Sequence, residues 1–285
     1  MLGQRHLIDN LPKWKALPAS QATPRRPLRL PDWQADWEAG ITLLSRHARR
    51  NLPQDALPGD GHLMLEHAFA RETAAQAGST LLLKAVDRGF GGAALRDIYE
   101  QVATLWLDHA QWVATARDSL QDHAIESGPS LQPRTTQHYE YALQLLCMGV
   151  LLDAQDMLPP LVEKVLQHET DRLLDWIAAP ALGLVEASDE VFHPRPFADL
   201  FAALPEGDAF EPSALGGYLQ VHYRDFFLLA PKAQKRTRRL TGPNAWGYWA
   251  LEVAALVVLY GGDDTALRAC PHYPADLVDF ARRRH

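Results

Sequence analysis

Apolar residues recur at steps of three and four along most of this chain, the pattern of helices with one apolar face. The longest stripe covers residues 92–124, between the pair Gly91–Gly92 and the turn sequence ESGPS, with charged residues on its other face. Shorter stripes predict helices over 33–50, 135–153, 159–178, 212–229 and 245–260. The sequence shows no strand-like alternation and no repeat of fixed period. The pattern therefore predicts an all-α protein.

Two features divide the chain into parts. Residues 1–31 contain five prolines and little apolar periodicity, which predicts an extended or mobile basic arm anchored by Trp14. Pro159 and Pro160 suit the start of a helix after a short break. We therefore predict an arm (1–31), an N-terminal helical domain (32–157) and a C-terminal helical domain (158–285), which form a multi-helix bundle of two consecutive domains packed as one body. The turn at 126–133 is an alternative boundary.

The charge distribution narrows the range of partners. The chain has a net charge of −7. Six basic residues against one acid give residues 1–31 a net charge of +5, which leaves −12 for the rest. An acidic body favours a basic protein partner and disfavours nucleic acid.

The composition also indicates a location. The longest apolar runs have eight residues, whereas a membrane span needs about twenty. The start of the sequence has no apolar signal region, and the two cysteines, Cys147 and Cys270, form no disulfide framework. These features predict a cytoplasmic protein without a membrane partner.

Motifs for metals and cofactors are incomplete. His62, Glu66 and His67 lack the spacing of a zinc-protease pair, in which two histidines stand four apart. The pair Glu190 and His193 has the ExxH spacing of di-iron bundles, but it runs directly into a Pro-rich turn. The Gly-rich sequence RGFGGAAL lacks the Lys and hydroxyl of a phosphate-binding loop. We therefore predict no metal and no cofactor.

Two charged segments are candidates for binding. The acidic segment, residues 186–211, holds seven acids against one base, Arg195. Such a surface can steer a basic protein partner, and a solubilising loop region is the alternative. Residues 232–239 hold five basic groups. A phosphate contact is one interpretation, but we favour a solvated loop or a helix end.

Glu252 lies inside a predicted helix that is apolar on every side. Such a helix is buried, and a buried carboxylate must be paired or hydrogen-bonded. A Tyr hydroxyl, a Trp N–H, a cation or groups from segment 271–278 could serve. Alternatively, Glu252 and His272 act as acid and base in an enzyme with a raised Glu pKa. The sequence offers no further parts of such a site, so we favour the structural interpretation and predict no catalytic residues.

The sequence GYWALEVAALVVLYGGDD, followed by HYPADLV, resembles the C-terminal signature of PoNi-type immunity proteins. The positions that match this C-terminal signature are Gly247, Tyr248, Trp249, Glu252, Asp263, Asp264, Tyr273, Pro274, Asp276, Leu277 and Val278. The family often has two tyrosines before the proline, where this chain has His272–Tyr273. The family also has two consecutive helical domains, as the periodicity predicts here.

The resemblance implies a cytoplasmic, non-enzymatic immunity protein. Such a protein binds and neutralises a cognate DNase toxin that competing bacteria deliver by contact-dependent secretion systems such as type VI secretion. The signature residues are expected in the core, and the toxin contact is expected on the acidic segment. The residues predicted to contribute to that contact are Glu186, Asp189, Glu190, Asp199, Glu206, Asp208 and Glu211. The alternatives are a helical adaptor or scaffold with another partner and an enzyme using Glu252, and a homodimer is left open.

Overall fold

The computed structural model describes residues 2–19, 22–49, 60–123, 128–184, 186–204, 210–225 and 248–283. All regular secondary structure in these ranges is helical, which confirms the predicted all-α fold class. Among the described helices, none combines the length and the apolarity that a membrane crossing requires.

The N-terminal part is built around a long helical hairpin. Its elements are α1 (Leu2–Ala16), a 3-10 turn (Leu17–Ala19), α2 (Leu30–Arg49), α3 (Gly61–Arg88) and α4 (Gly92–Asp122). The indole of Trp106 donates to Ser79 Oγ at 3.0 Å and that of Trp112 to the Met64 carbonyl at 3.4 Å, so α3 and α4 run antiparallel. Helices α2 and α4 agree with the predictions for 33–50 and 92–124 within a few residues.

The prediction of an extended arm is wrong for residues 2–16, which form α1. Leu7, Leu11 and Trp14 repeat at helical spacing, and all three are buried against the rest of the core. Pro12 lies inside the helix and removes one backbone hydrogen bond, but packing of the apolar face compensates for this loss. The prolines and basic residues concealed a short amphipathic pattern.

The C-terminal part consists of shorter helices. They are α5 (Thr136–Leu151), a 3-10 turn (Gln155–Met157), α6 (Leu158–Pro160), a π-helical turn (Leu161–Val165), α7 (Arg172–Leu182), α8 (Pro194–Ala203), a 3-10 turn (Pro212–Leu215), α9 (Gly216–Asp225), α10 (Leu251–Tyr260) and α11 (Ala275–Arg282). Helix α5 agrees with the prediction for 135–153. Pro160 ends α6, and Pro274 is the N-cap of α11.

Three predicted helices differ from the structure. The single helix expected over 159–178 is broken, because the π-helical turn is followed by Gln167 and His168 with φ of 50° and 61°. The helix expected over 212–229 starts as a 3-10 turn and is described only to residue 225. The helix expected over 245–260 begins at Leu251, since the preceding Ala250 N–H donates to the His272 carbonyl at 2.9 Å. Residues 241–247 lie outside the described ranges.

One apolar core extends through both parts. It includes Trp37 and Trp106 from the N-terminal part and Tyr139, Leu146 and Val253 from the C-terminal part. A second, smaller cluster of Met64, Trp112, Ala116 and Leu120 lies at the far end of the α3–α4 hairpin. The core is continuous across both candidate boundaries, and the division at 157/158 stays a prediction.

Residues 22–29 form a strap that crosses the turn between α3 and α4. The Arg25 guanidinium donates to the carbonyls of Val86 at 2.7 Å and Phe90 at 2.8 Å. Gly89 has a φ of 88°, and a Cβ there would lie 1.8 Å from the Thr23 carbonyl oxygen, so only glycine fits. The strap brings Arg25 and Arg26 to the residues of the C-terminal signature.

Candidate functional site

Tyr248 and Trp249 lie just before α10 and bind the C-terminal part to the end of α3. The Trp249 indole donates to Asp87 Oδ1 at 2.9 Å, and Arg26 Nε donates to the same oxygen at 2.6 Å. The Arg26–Asp87 ion pair is buried, with side chains 3% and 8% exposed. The Arg26 guanidinium also lies 5.1 Å from the centre of the Tyr248 ring. These aromatics therefore join three segments of the chain.

Glu252 is buried, at 1% exposure, as an all-apolar helix predicts. Its Oε1 accepts the Tyr218 hydroxyl at 2.6 Å, so this contact comes from α9 and not from segment 271–278. Burial, with the nearby Glu252 charge, raises the pKa of Tyr218 well above its usual value, which keeps the hydroxyl protonated as a donor. His272 Nδ1 lies 2.8 Å from the Tyr248 carbonyl oxygen. This geometry does not offer Glu252 to a substrate.

Asp264 organises the turn between α10 and α11. Its carboxylate accepts the Tyr273 hydroxyl at 2.7 Å and guanidinium donors of Arg268 and Arg282, each at 3.1 Å. Burial acts to raise the pKa of Asp264, but these hydrogen bonds and the two positive charges outweigh it, so the pKa is lowered. Asp263 is exposed and accepts the Thr265 N–H at 3.0 Å.

The remaining signature positions are divided between the core and the surface. Pro274, Leu277 and Val278 are buried. Asp276 is exposed in the first turn of α11, and its carboxylate forms an ion pair with Arg25 of the strap at 2.7 Å. Gly247 lies outside the described residues.

The acidic segment presents all five of its described carboxylates to solvent. Its exposed acids are Glu186, Asp189, Glu190, Asp199 and Glu211. Glu206 and Asp208, which belong to the same prediction, lie outside the described residues, as do the basic residues 232–239. The assignment of these acids to a partner contact stays a prediction.

Two arginines from outside the acidic segment neutralise part of it. Arg134, just before α5, donates to both carboxylate oxygens of Glu190 at 2.8 and 3.2 Å and to Glu169 at 2.8 Å. Arg172, in α7, forms an ion pair with Asp189 at 3.1 Å. The segment is therefore less negative than its own composition of seven acids and one base indicates.

Asp171 is a buried carboxylate that sequence reasoning missed. It caps α7 by accepting the Leu174 N–H at 3.1 Å, and it also accepts the Phe192 N–H at 3.1 Å and the Tyr139 hydroxyl at 3.0 Å. Burial raises the pKa of Asp171. The signal was available, because Asp before a helical apolar run is a common N-cap. Asp171 fixes the acidic segment's first loop against the core.

The described residues contain no group of three or more His, Cys, Asp or Glu placed to hold a metal ion. Glu190 forms an ion pair with Arg134, and His193 Nε2 lies 2.9 Å from the Pro133 carbonyl oxygen. Both residues of the ExxH pair therefore contact the segment just before α5. Cys147 is buried and Cys270 half-buried, and both are free thiols. Gly91 is the N-cap of α4, in keeping with a turn between helices.

Comparison with known proteins identifies relatives along most of the chain. Residues 169–277 match the family model described as PoNe immunity proteins (PoNi), C-terminal. Residues 3–124 match the model described as PA2201 N-terminal domain-like. The crystal structure of protein PA2201 from Pseudomonas aeruginosa is 55% identical, with a TM-score of 0.87, covering 98% of this chain and 97% of that chain. No curated protein matches the sequence.

Proposed function

Because the chain belongs to the PoNi-type family of immunity proteins, we propose that it binds a cognate antibacterial toxin and blocks it stoichiometrically. We further propose that this toxin is a secreted DNase and that the protein acts in the cytoplasm of the cell it protects. The mechanism is occlusion of the nuclease site, which needs a surface and no catalytic residue. The buried position of Glu252 gives the enzyme alternative no support.

The observation that carries the nuclease proposal is the charge of the exposed surface. A DNA-binding groove is basic, because it must neutralise phosphates. This chain has a net charge of −7, and Glu186, Asp199 and Glu211 are exposed. An acidic protein surface can compete with DNA for such a groove and accelerate the encounter.

Buried contacts also hold the backbone of the acidic segment in place. Asp171 and Tyr139 fix the backbone at Phe192, and Phe197 and Leu200 bury the inner face of α8. A rigid support lowers the conformational entropy that is lost on binding. An adaptor with another basic partner would use the same surface, so the identity of the partner must be tested directly.

The test of function is co-expression of this chain with candidate toxin domains of the PoNe kind, starting with any that is encoded next to its gene. We expect cells to survive toxin induction only when this chain is present, and we expect the purified proteins to form a complex that no longer cleaves DNA. Failure to rescue the cells together with absence of a complex would refute the proposed function.

The test of the acidic segment compares two triple charge reversals. Glu186, Asp199 and Glu211 change to Lys in one variant, and Asp97, Asp118 and Glu163, which are exposed elsewhere, change to Lys in the other. Each variant moves the net charge from −7 to −1, because three acids become three bases. We expect the first variant to associate about tenfold more slowly, with a weaker salt dependence, and the second to lose much less. Equal losses of association rate in the two variants would show that the net charge of the protein, and not the position of the acids, sets this rate.

A further inference from the structure

Four aromatic side chains form two ring pairs in and next to the acidic segment, to which Phe201 and Phe210 belong. Trp176 of α7 and Phe201 of α8 lie with ring centres 5.5 Å apart, and Phe210 and Tyr260 lie 6.0 Å apart. The Tyr260 hydroxyl donates to the Trp176 carbonyl at 2.7 Å, which joins the two pairs. Three of the rings are half-buried, and Tyr260 is 45% exposed. We call this set the aromatic row.

Acidic residues lie at both ends of the aromatic row. At one end, the Arg172 guanidinium is 5.8 Å from the Phe201 ring centre and forms the ion pair with Asp189. At the other end, a Cβ on Gly262 would lie 2.5 Å from Pro212 Cδ, so the chain at 262 is packed on the chain at 210–212. This contact brings the neighbouring exposed acids Asp263 and Glu211 to the same end as Phe210.

An apolar, aromatic centre with a charged rim is the usual composition of a protein interface. Tyrosine and tryptophan are enriched among the residues that contribute most of the binding energy, because they bury much area with few rotatable bonds. Tyr260 is held by its hydrogen bond to Trp176, so little side-chain entropy remains to be lost when a partner covers it.

We propose that the aromatic row is the apolar centre of the toxin contact, with Tyr260 as its anchor and Asp189, Glu211 and Asp263 on its rim. This inference rests on the proposed function and adds to it the surface and the chemistry of the partner. The partner surface carries arginine side chains, because guanidinium planes stack on aromatic faces and pair with carboxylates at the same time. A DNA-binding groove provides such side chains.

Phe69 provides a matched control for the anchor. It is the most exposed of the large apolar side chains in the described residues, at 69%, and it lies on α3, in the N-terminal part. Tyr260→Ala and Phe69→Ala therefore remove comparable exposed rings from different surfaces. Tyr260→Phe keeps the ring and removes only the hydroxyl that binds Trp176.

The experiment measures the Kd of each purified variant for the toxin domain that this chain neutralises in the co-expression test. We expect Tyr260→Ala to bind at least about tenfold more weakly, Phe69→Ala within about twofold of the unchanged protein, and Tyr260→Phe between them. A Kd for Tyr260→Ala equal to that of the unchanged protein overturns the inference while the proposed function stands. Absence of binding by the unchanged protein overturns both.

Hydrogen exchange on the unchanged protein covers the case in which Tyr260→Ala fails to fold. On complex formation, we expect slower exchange in segments 198–204, 210–215 and 258–264 and no change in 61–70. Slower exchange confined to segments away from the aromatic row overturns the inference.

Discussion

The C-terminal signature and the acidic segment differ in where their acids lie: two of the four signature acids are buried, whereas all five described acids of the segment are exposed. Within the signature, Glu252 and Asp264 are buried and hydrogen-bonded to the same chain. In the acidic segment, Glu186, Asp199 and Glu211 are exposed. The buried signature acids therefore support the fold, whereas the exposed acids of the segment lie on the surface proposed to act on the toxin, together with the exposed signature residue Asp263.

Among the changes that test this comparison, Asp87→Ala is expected to have the largest effect. This change leaves the buried Arg26 guanidinium without its ion pair and the Trp249 indole without its acceptor. We expect the free energy of unfolding to fall by about 3–5 kcal/mol, measured by urea denaturation. The control is Asp276→Ala, whose carboxylate is 59% exposed and whose loss should cost about 1 kcal/mol or less. Equal losses would contradict the view that the buried contacts of the signature, and not its exposed ion pair, hold the fold together.

A smaller effect is expected in mild acid, at a site outside both regions. Burial lowers the pKa of His109 to about 4, against a small opposing effect of Glu72, and Ser130 Oγ lies 2.5 Å from its Nδ1. Between this value and the unfolded value of about 6.5, the unfolded chain binds the proton and the folded chain does not. Stability should therefore fall by about 2–3 kcal/mol as the pH drops from 6.5 to 4.

The measurement is urea denaturation of the unchanged protein and of His109→Gln at pH 7 and pH 4.5. We expect the variant to lose less stability between the two values, because it lacks the titrating ring. The Asp264 pairs should persist in this window, since the pKa of Asp264 is lowered. Identical pH dependence in the two proteins would rule out His109 as the cause.

The smallest effect is expected in the acidic segment. Single changes of Glu186, Asp199 or Glu211 to Ala should alter the free energy of unfolding by less than about 0.5 kcal/mol, because exposed side chains contribute little. The same variants should bind the toxin more slowly. A stability loss above 1 kcal/mol with normal toxin binding would mean that these acids support the fold and not the toxin contact.

The local part of the fold was predictable from sequence. Helix α4 ends within two residues of its predicted limits, because a long apolar stripe and a Gly pair define it. Helix α1 was missed although Leu7, Leu11 and Trp14 lie on one face, since prolines and basic residues outweighed a short pattern. The break after Val165 was not predictable, because the apolar spacing continues across a π-helical turn.

For the candidate site, the sequence predicted the acidic residues but not their contacts. The acids of the segment 186–211 are visible in the sequence, but Arg134 and Arg172, which neutralise two of them, lie 56 and 17 residues away. The aromatic row was not predictable, because Trp176, Phe201, Phe210 and Tyr260 come from three helices and a loop, with no common spacing.

Helices α1 and α3 were not predicted from the sequence. The sequence was sufficient for the all-α class, for helices α2, α4 and α5 and for the family that the C-terminal signature resembles. These properties depend on neighbours within a few residues, which periodicity and capping record. Arg26, Asp87 and Trp249 meet only in the folded chain, across sequence separations of 61 and 162 residues. Such contacts depend on how buried faces pack together, and each apolar stripe leaves its partner unspecified.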